Sequence, residues 1–169
     1  ELGLLPRDRF TLEAADVIGQ DSVNLGEWLL VNKGSNHGLE VGMSVIANGN
    51  VLIGRVAEVL PLSAKVTLLT SPESLVNVVD SQTGAKGIAK GQYGLGLLLD
   101  MVLQTDALNS GDDIVTSGLG GDMPRGLLIG KAQEARLSDD HLFQQATIVS
   151  PVKPTRLQSV FIIKNEKGL

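Results

Sequence analysis

Three residues of this chain stand in the order of a nucleophilic triad: His37, Asp106 and Ser117. In a His-Asp-Ser arrangement of the chymotrypsin type, the imidazole takes the serine proton and the carboxylate orients the imidazole. Such a serine also needs a turn that builds an oxyanion hole, typically Gly-Asp-Ser-Gly. The residues around Ser117 read "VTSGLGG" (115–121), without the preceding Gly-Asp. His37 lies in "NKGSNHG" (32–38), a Gly/Asn corner that reads as an exposed turn. Phosphate chemistry fails on similar grounds. "GDMPRGLL" (121–128) has the glycine spacing of a Walker loop, but Leu127 and Leu128 stand where Lys and Ser/Thr must be. Gly118 and Gly120 begin a dinucleotide fingerprint that Met123 breaks, and a strand pattern follows instead of a helix. With no cysteine and only His37 and His141, thiolate and His-based metal sites are excluded. The acidic pairs Asp112–Asp113 and Asp139–Asp140 lie in no calcium-loop pattern and read as solvated turn charges. The residues thus imply no catalytic group, no cofactor and no metal ligand.

Composition narrows the remaining classes. The chain has 169 residues, 43% hydrophobic and only 3% aromatic, so its core must be built from Val, Leu, Ile and Ala. The net charge of −5 opposes nucleic-acid binding, which needs clustered Lys and Arg on phosphates. One Trp, one Tyr and three Phe make no base-stacking platform. No apolar stretch approaches the ~20 residues of a membrane-spanning helix. "ELGLLPRDRF" (1–10) is no signal peptide; it reads as a start trimmed from a larger protein, with "ELGLL" the last turn of a helix.

Most segments are short, rich in β-branched and aliphatic residues, and bounded by Gly, Asn, Asp, Ser or Pro. They predict strands at 13–19, 27–32, 44–48, 51–60, 65–70, 75–80, 85–90, 95–100, 113–117, 126–135, 142–150 and 158–164. "EWLLVN" and "KVTLLT" hold apolar runs expected to be buried on both faces. The Asn-Gly of "ANGN" (47–50) predicts a tight hairpin. An internal echo joins two blocks: "GMSVIANG" (42–49) with "LIGRVAEV" (52–59), and "GDDIVTSG" (111–118) with "LIGKAQEA" (128–135). It points to two similar sub-barrels. Arg55 and Lys131 occupy equivalent places, as do Glu58 and Glu134, and are expected to mark a charged edge.

Residues 15–79 carry a further pattern. "VIGQD", "VNKGSNHGLEVGMSV", "VLIGRV" and "SAKVTLLTSP" resemble, in order, motifs of the MreC family of cell-shape proteins. "GDDIVTSGLGGDMPRGLLIGKAQEA" and "ATIVSPVKPTRLQSVFII" are similar to its later signatures, so the resemblance runs over about 14 to 164. Gln20, Ser71 and Met123 depart from the family's usual Arg, Asp and Phe.

The resemblance implies an all-β fold: two small six-stranded β-barrels, chymotrypsin-like in architecture and non-catalytic. It implies a non-enzymatic scaffold of the cell-wall elongation complex, maintaining rod shape from the periplasmic or extracytoplasmic face of the cytoplasmic membrane. Implied partners are the elongation penicillin-binding protein, RodA, MreD and MreB, together with self-association into dimers or filaments. The full-length family member carries a membrane anchor and a coiled coil, which makes residues 1–13 the stub of that coil and its linker. The echo suggests one barrel inserted in the other: 14–41 plus 112–164 as the first, 42–111 as the second, and 165–169 as a tail. A serine protease of chymotrypsin-like fold and an envelope β-barrel adaptor are the competing readings. The residues name no partner-binding set; Leu39, Val41 and Met43 are conceivable surface contacts, with core burial favoured.

Overall fold

The computed structural model describes residues 10–23, 27–92, 96–121 and 123–166. Within them run thirteen strands. They are β1 (Phe10–Gln20), β2 (Trp28–Val31), β3 (Ser44–Ala47), β4 (Val51–Val59), β5 (Ala64–Leu68), β6 (Leu75–Asp80) and β7 (Lys86–Gly91). They continue with β8 (Leu97–Leu103), β9 (Asp113–Thr116), β10 (Leu128–Ala132), β11 (Arg136–Leu137), β12 (Phe143–Val149) and β13 (Ser159–Glu166). All twelve predicted segments are strands; β11, only two residues long, is the addition, too short to show alternation. The expected helical turn at 1–5 lies outside the described residues.

The pairings close two rings. In the first, β13 pairs β1, β1 pairs β2, β2 pairs β5, β5 pairs β4, β4 pairs β3, and β3 returns to β13. In the second, β6 pairs β7, then β8, β12, β10 and β9, which returns to β6. Counting β13 as the first strand of its ring, both have the spatial order 1-2-3-6-5-4. This is the two-barrel, chymotrypsin-like architecture.

The division of the chain differs from the expected one. Strands at 44–68 stay with β1, β2 and β13, and the second ring runs from β6 to β12. Residues 28–31 pair with β1 and β5, neither with 75–80 nor with the C-terminal strands. The boundary at 42 and the boundary at 111 are therefore corrected to the β5–β6 and β12–β13 connections. The echo misled here because each copy is a hairpin, β3–β4 and β9–β10, and a hairpin does not announce which outer strands flank it.

Local burial follows the pleat. In β5 the pattern alternates strictly, with Ala64, Val66 and Leu68 inward. β2 alternates too, so "EWLLVN" and "KVTLLT" each bury one face fully and the other partly, a correction to the expected double burial. The doubly buried strand is β3, where all four residues are buried. Val45 and Ala47 enter the first ring's core with Leu29, Val31, Val66 and Ile162. Ile46 points out of that ring and joins Leu52, Phe10, Leu69 and Ile163 in the second ring's core. Between the rings, β4 and β10 also run parallel, with Val51 opposite Leu128 and the Leu128 amide donating to the Asn50 carbonyl at 2.9 Å.

The echo is structural. Asn48 and Gly49 have φ of 50° and 95°, forming the hairpin turn expected of Asn-Gly. Gly42 and Gly111 donate to the carbonyls of Val56 and Ala132, at 2.8 and 2.7 Å. Gly54 and Gly130 occupy the same place in "LIGR" and "LIGK". A Cβ at Gly54 would lie 2.2 Å from the Thr67 carbonyl oxygen, and one at Gly130 would lie 2.4 Å from that of Val149. Both strands cross too close to a neighbour for any side chain. Arg55 and Lys131 follow on strands paired on both sides, so they do not mark an edge; that expectation is corrected.

Gly54→Ala and Gly130→Ala should each destabilise the fold by about 1–3 kcal/mol, because backbone must move to admit the methyl group. Glu58→Ala, at an exposed position, should stay within about 0.5 kcal/mol of the parent. Urea denaturation midpoints read all three.

Candidate interaction surface

The triad residues are held apart in function by their own partners. His37 ends a short 3-10 turn, where its Nδ1 accepts the Gly34 amide at 3.1 Å. A triad imidazole must instead donate from Nδ1 to its carboxylate. The His37 carbonyl accepts Lys164 Nζ at 2.9 Å, fixing the turn to β13. Asp106 follows β8, donating its amide to Leu103 and accepting Gln144 Nε2 at its carbonyl. Ser117 follows β9; its Oγ accepts the Leu119 amide at 3.1 Å and its own amide donates to the Asn77 carbonyl. Its hydroxyl caps a turn, and among the described residues no imidazole is hydrogen-bonded to it.

The glycine-rich stretch 111–130 is a wide corner organised by Thr116. This buried hydroxyl donates to the Pro124 carbonyl at 2.7 Å and accepts the Leu127 amide at 2.9 Å. Backbone bonds between Thr116 and both Leu127 and Gly126 close the base of the corner. Met123, partly buried, packs on the second core where the family often has Phe. Ser71, buried in the β5–β6 connection, accepts the Glu73 amide at Oγ. Gln20 is exposed at the end of β1.

The acidic pairs behave differently from one another. Asp139 and Asp140 lie in an exposed turn, and hydrogen bonds from the Ser138 hydroxyl and the Leu142 amide hold Asp140 below the usual carboxylate range. Asp113 pairs with Lys131 at 2.8 Å. Asp112 faces the buried Asp80, so the reading of solvated turn charges fails at that residue. Among the described residues no group of three His, Cys, Asp or Glu could hold a metal.

What the surface offers is shape and exposed apolar side chains. An open groove of about 830 Å³ runs beside β10, with Leu128, Gly130, Lys131, Val149 and Pro151 among its walls. Val149 is 48% exposed there. At one end of the second ring, the β11–β12 hairpin leaves Leu137 and Leu142 exposed beside Leu103 of β8, whose pairing partner is Phe143. β11 ends the strand order, leaving a two-residue edge. A third apolar point is the β4–β5 hairpin tip, where Leu60 and Leu62 are exposed. That tip is gripped by the corner at 34–36: the Ser35 and Asn36 amides donate to the Leu60 and Pro61 carbonyls at 2.9 and 3.0 Å. Of the three conceivable contacts, Leu39 is buried, Met43 packs on the first core, and Val41 is 66% exposed. Exposed apolar side chains around an open groove are surfaces suited to binding by shape complementarity.

The hairpin end is stiffened by Asp100, which sits at a β8 irregularity where Met101 has φ of 62°. Its carboxylate accepts Lys90 Nζ, Gln145 Nε2 and the Met101 amide, at 3.0, 3.0 and 2.7 Å. Burial pushes its pKa up, but these donors outweigh burial and hold it below the usual range. Sequence reading missed Asp100, Asp80 and Thr116. Each was a polar residue at an inward place of a strand pattern, "LLLDMVL", "LVNVVD" and "DIVT", and that misplaced polarity was the available signal.

A carboxylate with depressed pKa stabilises the fold above its ordinary pKa, and that stabilisation is lost as pH falls through the folded value. Asp100→Asn should therefore lower Tm at neutral pH. The difference from the parent should shrink below about pH 4, near the ordinary Asp value. Thermal melts across pH check both.

Comparison with known proteins agrees with the geometry. The family model described as "Rod shape-determining protein MreC, barrel core" matches residues 17–164. The cell shape-determining protein MreC of Caulobacter vibrioides is 36% identical over 131 residues, 78% of this chain and 38% of that protein. The chain thus spans well under half of that relative's length. A solved MreC of Listeria monocytogenes superposes with a TM-score of 0.85 at 30% identity, over 93% of this chain and 77% of that one. A solved complex between a penicillin-binding protein, PBP2, and MreC from Helicobacter pylori shares the fold, at TM-score 0.70 and 18% identity, over 93% of this chain and all of that one. With residues 17–164 matched and both rings superposed, the chain belongs to the MreC family of rod shape-determining proteins.

Proposed function

We propose that this barrel pair is a non-enzymatic scaffold of the cell-wall elongation machinery, acting at the extracytoplasmic face of the cytoplasmic membrane. The observation that carries the proposal is the family match across 17–164, which includes both closed rings and the glycine-rich corner. The His37 imidazole and the Ser117 hydroxyl each hold their own turn, which supports a structural role for these two residues. The first partner is a penicillin-binding protein of the elongation type, by analogy with the Helicobacter pylori complex. RodA, MreD and MreB, and self-association into dimers or filaments, complete the proposed assembly.

Scaffolding of this kind asks for a rigid body that presents separated contact points. Here the groove beside β10, the β11–β12 end and the β4–β5 tip stand on one shared framework. Exposed leucines on short, well-bonded hairpins lose little freedom on binding, which favours affinity.

The test is binding of this chain to the extracytoplasmic part of the elongation penicillin-binding protein from the same organism, measured by surface plasmon resonance. Leu142→Glu, which places a charge on the apolar hairpin end, should weaken binding about tenfold, roughly 1.4 kcal/mol. Ser117→Ala should bind as the parent does, and a fluorophosphonate probe should label neither. Absence of binding by the parent, or labelling of Ser117, would overturn the proposal.

A further inference from the structure

The second ring holds a buried carboxyl whose second oxygen has no donor. Asp80, the last residue of β6, is 1% exposed. Its Oδ1 accepts the Gln82 and Thr83 amides at 2.8 and 3.1 Å, shaping the β6–β7 turn. Its Oδ2 is shielded from solvent and receives no hydrogen bond from any donor. The group within hydrogen-bonding reach of that side chain is another carboxyl, Asp112. Asp112 in turn accepts the Asn109 amide at Oδ2.

Two acceptors cannot satisfy each other without a proton, and a buried negative charge in contact with a half-buried one is unfavourable. The neighbouring cations are engaged elsewhere. On β10, Lys131 is bonded to Asp113 of β9. On β7, Lys90 is bonded to Asp100 of β8, and Lys86 pairs with Val79, whose side chain takes the face opposite to that of Asp80. Asp106, in the same loop as Asp112, adds negative charge. A calcium ion takes six to eight oxygen ligands, and among the described residues the pair belongs to no group of three His, Cys, Asp or Glu that could hold a metal. A proton fits where a metal does not.

We infer that Asp80 and Asp112 share one proton, forming a lock that ties the β6–β7 turn to the loop before β9 and opens when alkali removes it. Opening breaks the shared O–H bond: the proton leaves to a solvent base, and two carboxylates remain. The two segments are otherwise joined by few bonds. The Thr83 hydroxyl donates to the Ala107 carbonyl at 2.8 Å, and the Ser81 and Asp113 amides donate to the Asp113 carbonyl and Gln82 Oε1. The residues on either side of Asp112, Gly111 and Asp113, line the groove beside β10. The lock therefore sets one wall of that groove. Burial, then the hydrogen bond with Asp112, raise the Asp80 carboxyl above its ordinary range, against the lowering effect of the two amides. A raised folded pKa gives a stabilisation that is full below the unfolded value and lost as pH rises through the folded one.

The direct experiment is a carbon-13 NMR titration of the aspartate carboxyls in the native chain, with Asp80→Asn and Asp112→Asn to assign the signals. The Asp80 carboxyl should titrate above its ordinary value of about 4, Asp80→Asn should remove that transition, and Asp112→Asn should move it down. Asp80→Asn keeps the two amide bonds at Oδ1 and donates permanently to Asp112. It should raise Tm by about 2–4 °C near pH 8 and leave it unchanged near pH 4. An Asp80 carboxyl titrating at or below its ordinary value, or a lower Tm for Asp80→Asn near pH 8, would overturn the inference.

Discussion

The structure depends on one wall that is buried from both sides. β3, the start of β4 and part of β13 send Val45, Ala47, Val51 and Ile162 into one core, and Ile46, Leu52 and Ile163 into the other. Phe10 and Leu69 add to the outer side of that wall. Full burial of such side chains stabilises by about 1.5–3 kcal/mol each, taken as an upper estimate. Five of them make the contact between the rings a core in its own right. Neither ring can rotate against the other without exposing Ile46 and Leu52, each 1% exposed.

From that wall follow the other features. A strand with neighbours on both sides and cores on both faces leaves no volume for bulky side chains where strands cross. Gly54 meets the Thr67 carbonyl there, and Gly130 repeats the arrangement in the second ring. Closed rings leave few edges, so the hairpin tips, the short β11 edge and the groove beside β10 stand out among the outward features. Buried polar groups stiffen these places. Asp100 holds the β8 irregularity, and Thr116 holds the glycine-rich corner. These buried polar groups fix the geometry of the turns and corners that reach solvent.

The strands were legible because alternation and turn residues coincide at almost every boundary, as in "KVTLL" and "ANGN". The likeness of the two hairpins was legible too, since Gly54 and Gly130 answer the same steric demand. The ring to which each hairpin belongs was not. β3 reads as a plain apolar strand because both its faces are buried, and nothing in Ser44–Ala47 says that Val45 and Ile46 enter different cores. Closure of the first ring by β13, about 90 residues after β5, leaves no mark in local sequence either. The surface was the least legible part. Leu39 and Val41 are two residues apart and equally apolar, yet one is buried and the other exposed. The Asp80–Asp112 contact joins residues with no sequence relation, so only the fold could bring it into view.

The shared wall makes the two rings one rigid body. Equilibrium denaturation followed at two places tests it most directly. The chain's single Trp, Trp28, lies on β2 and reports the first ring by fluorescence. Native-state exchange of the Ile129 and Ile148 amides, on β10 and β12, reports the second. Both probes should give the same unfolding free energy and the same denaturant dependence, the mark of one cooperative unit. Loss of the Trp28 signal while the Ile129 and Ile148 amides stay protected, or the reverse, would show that the two rings unfold independently.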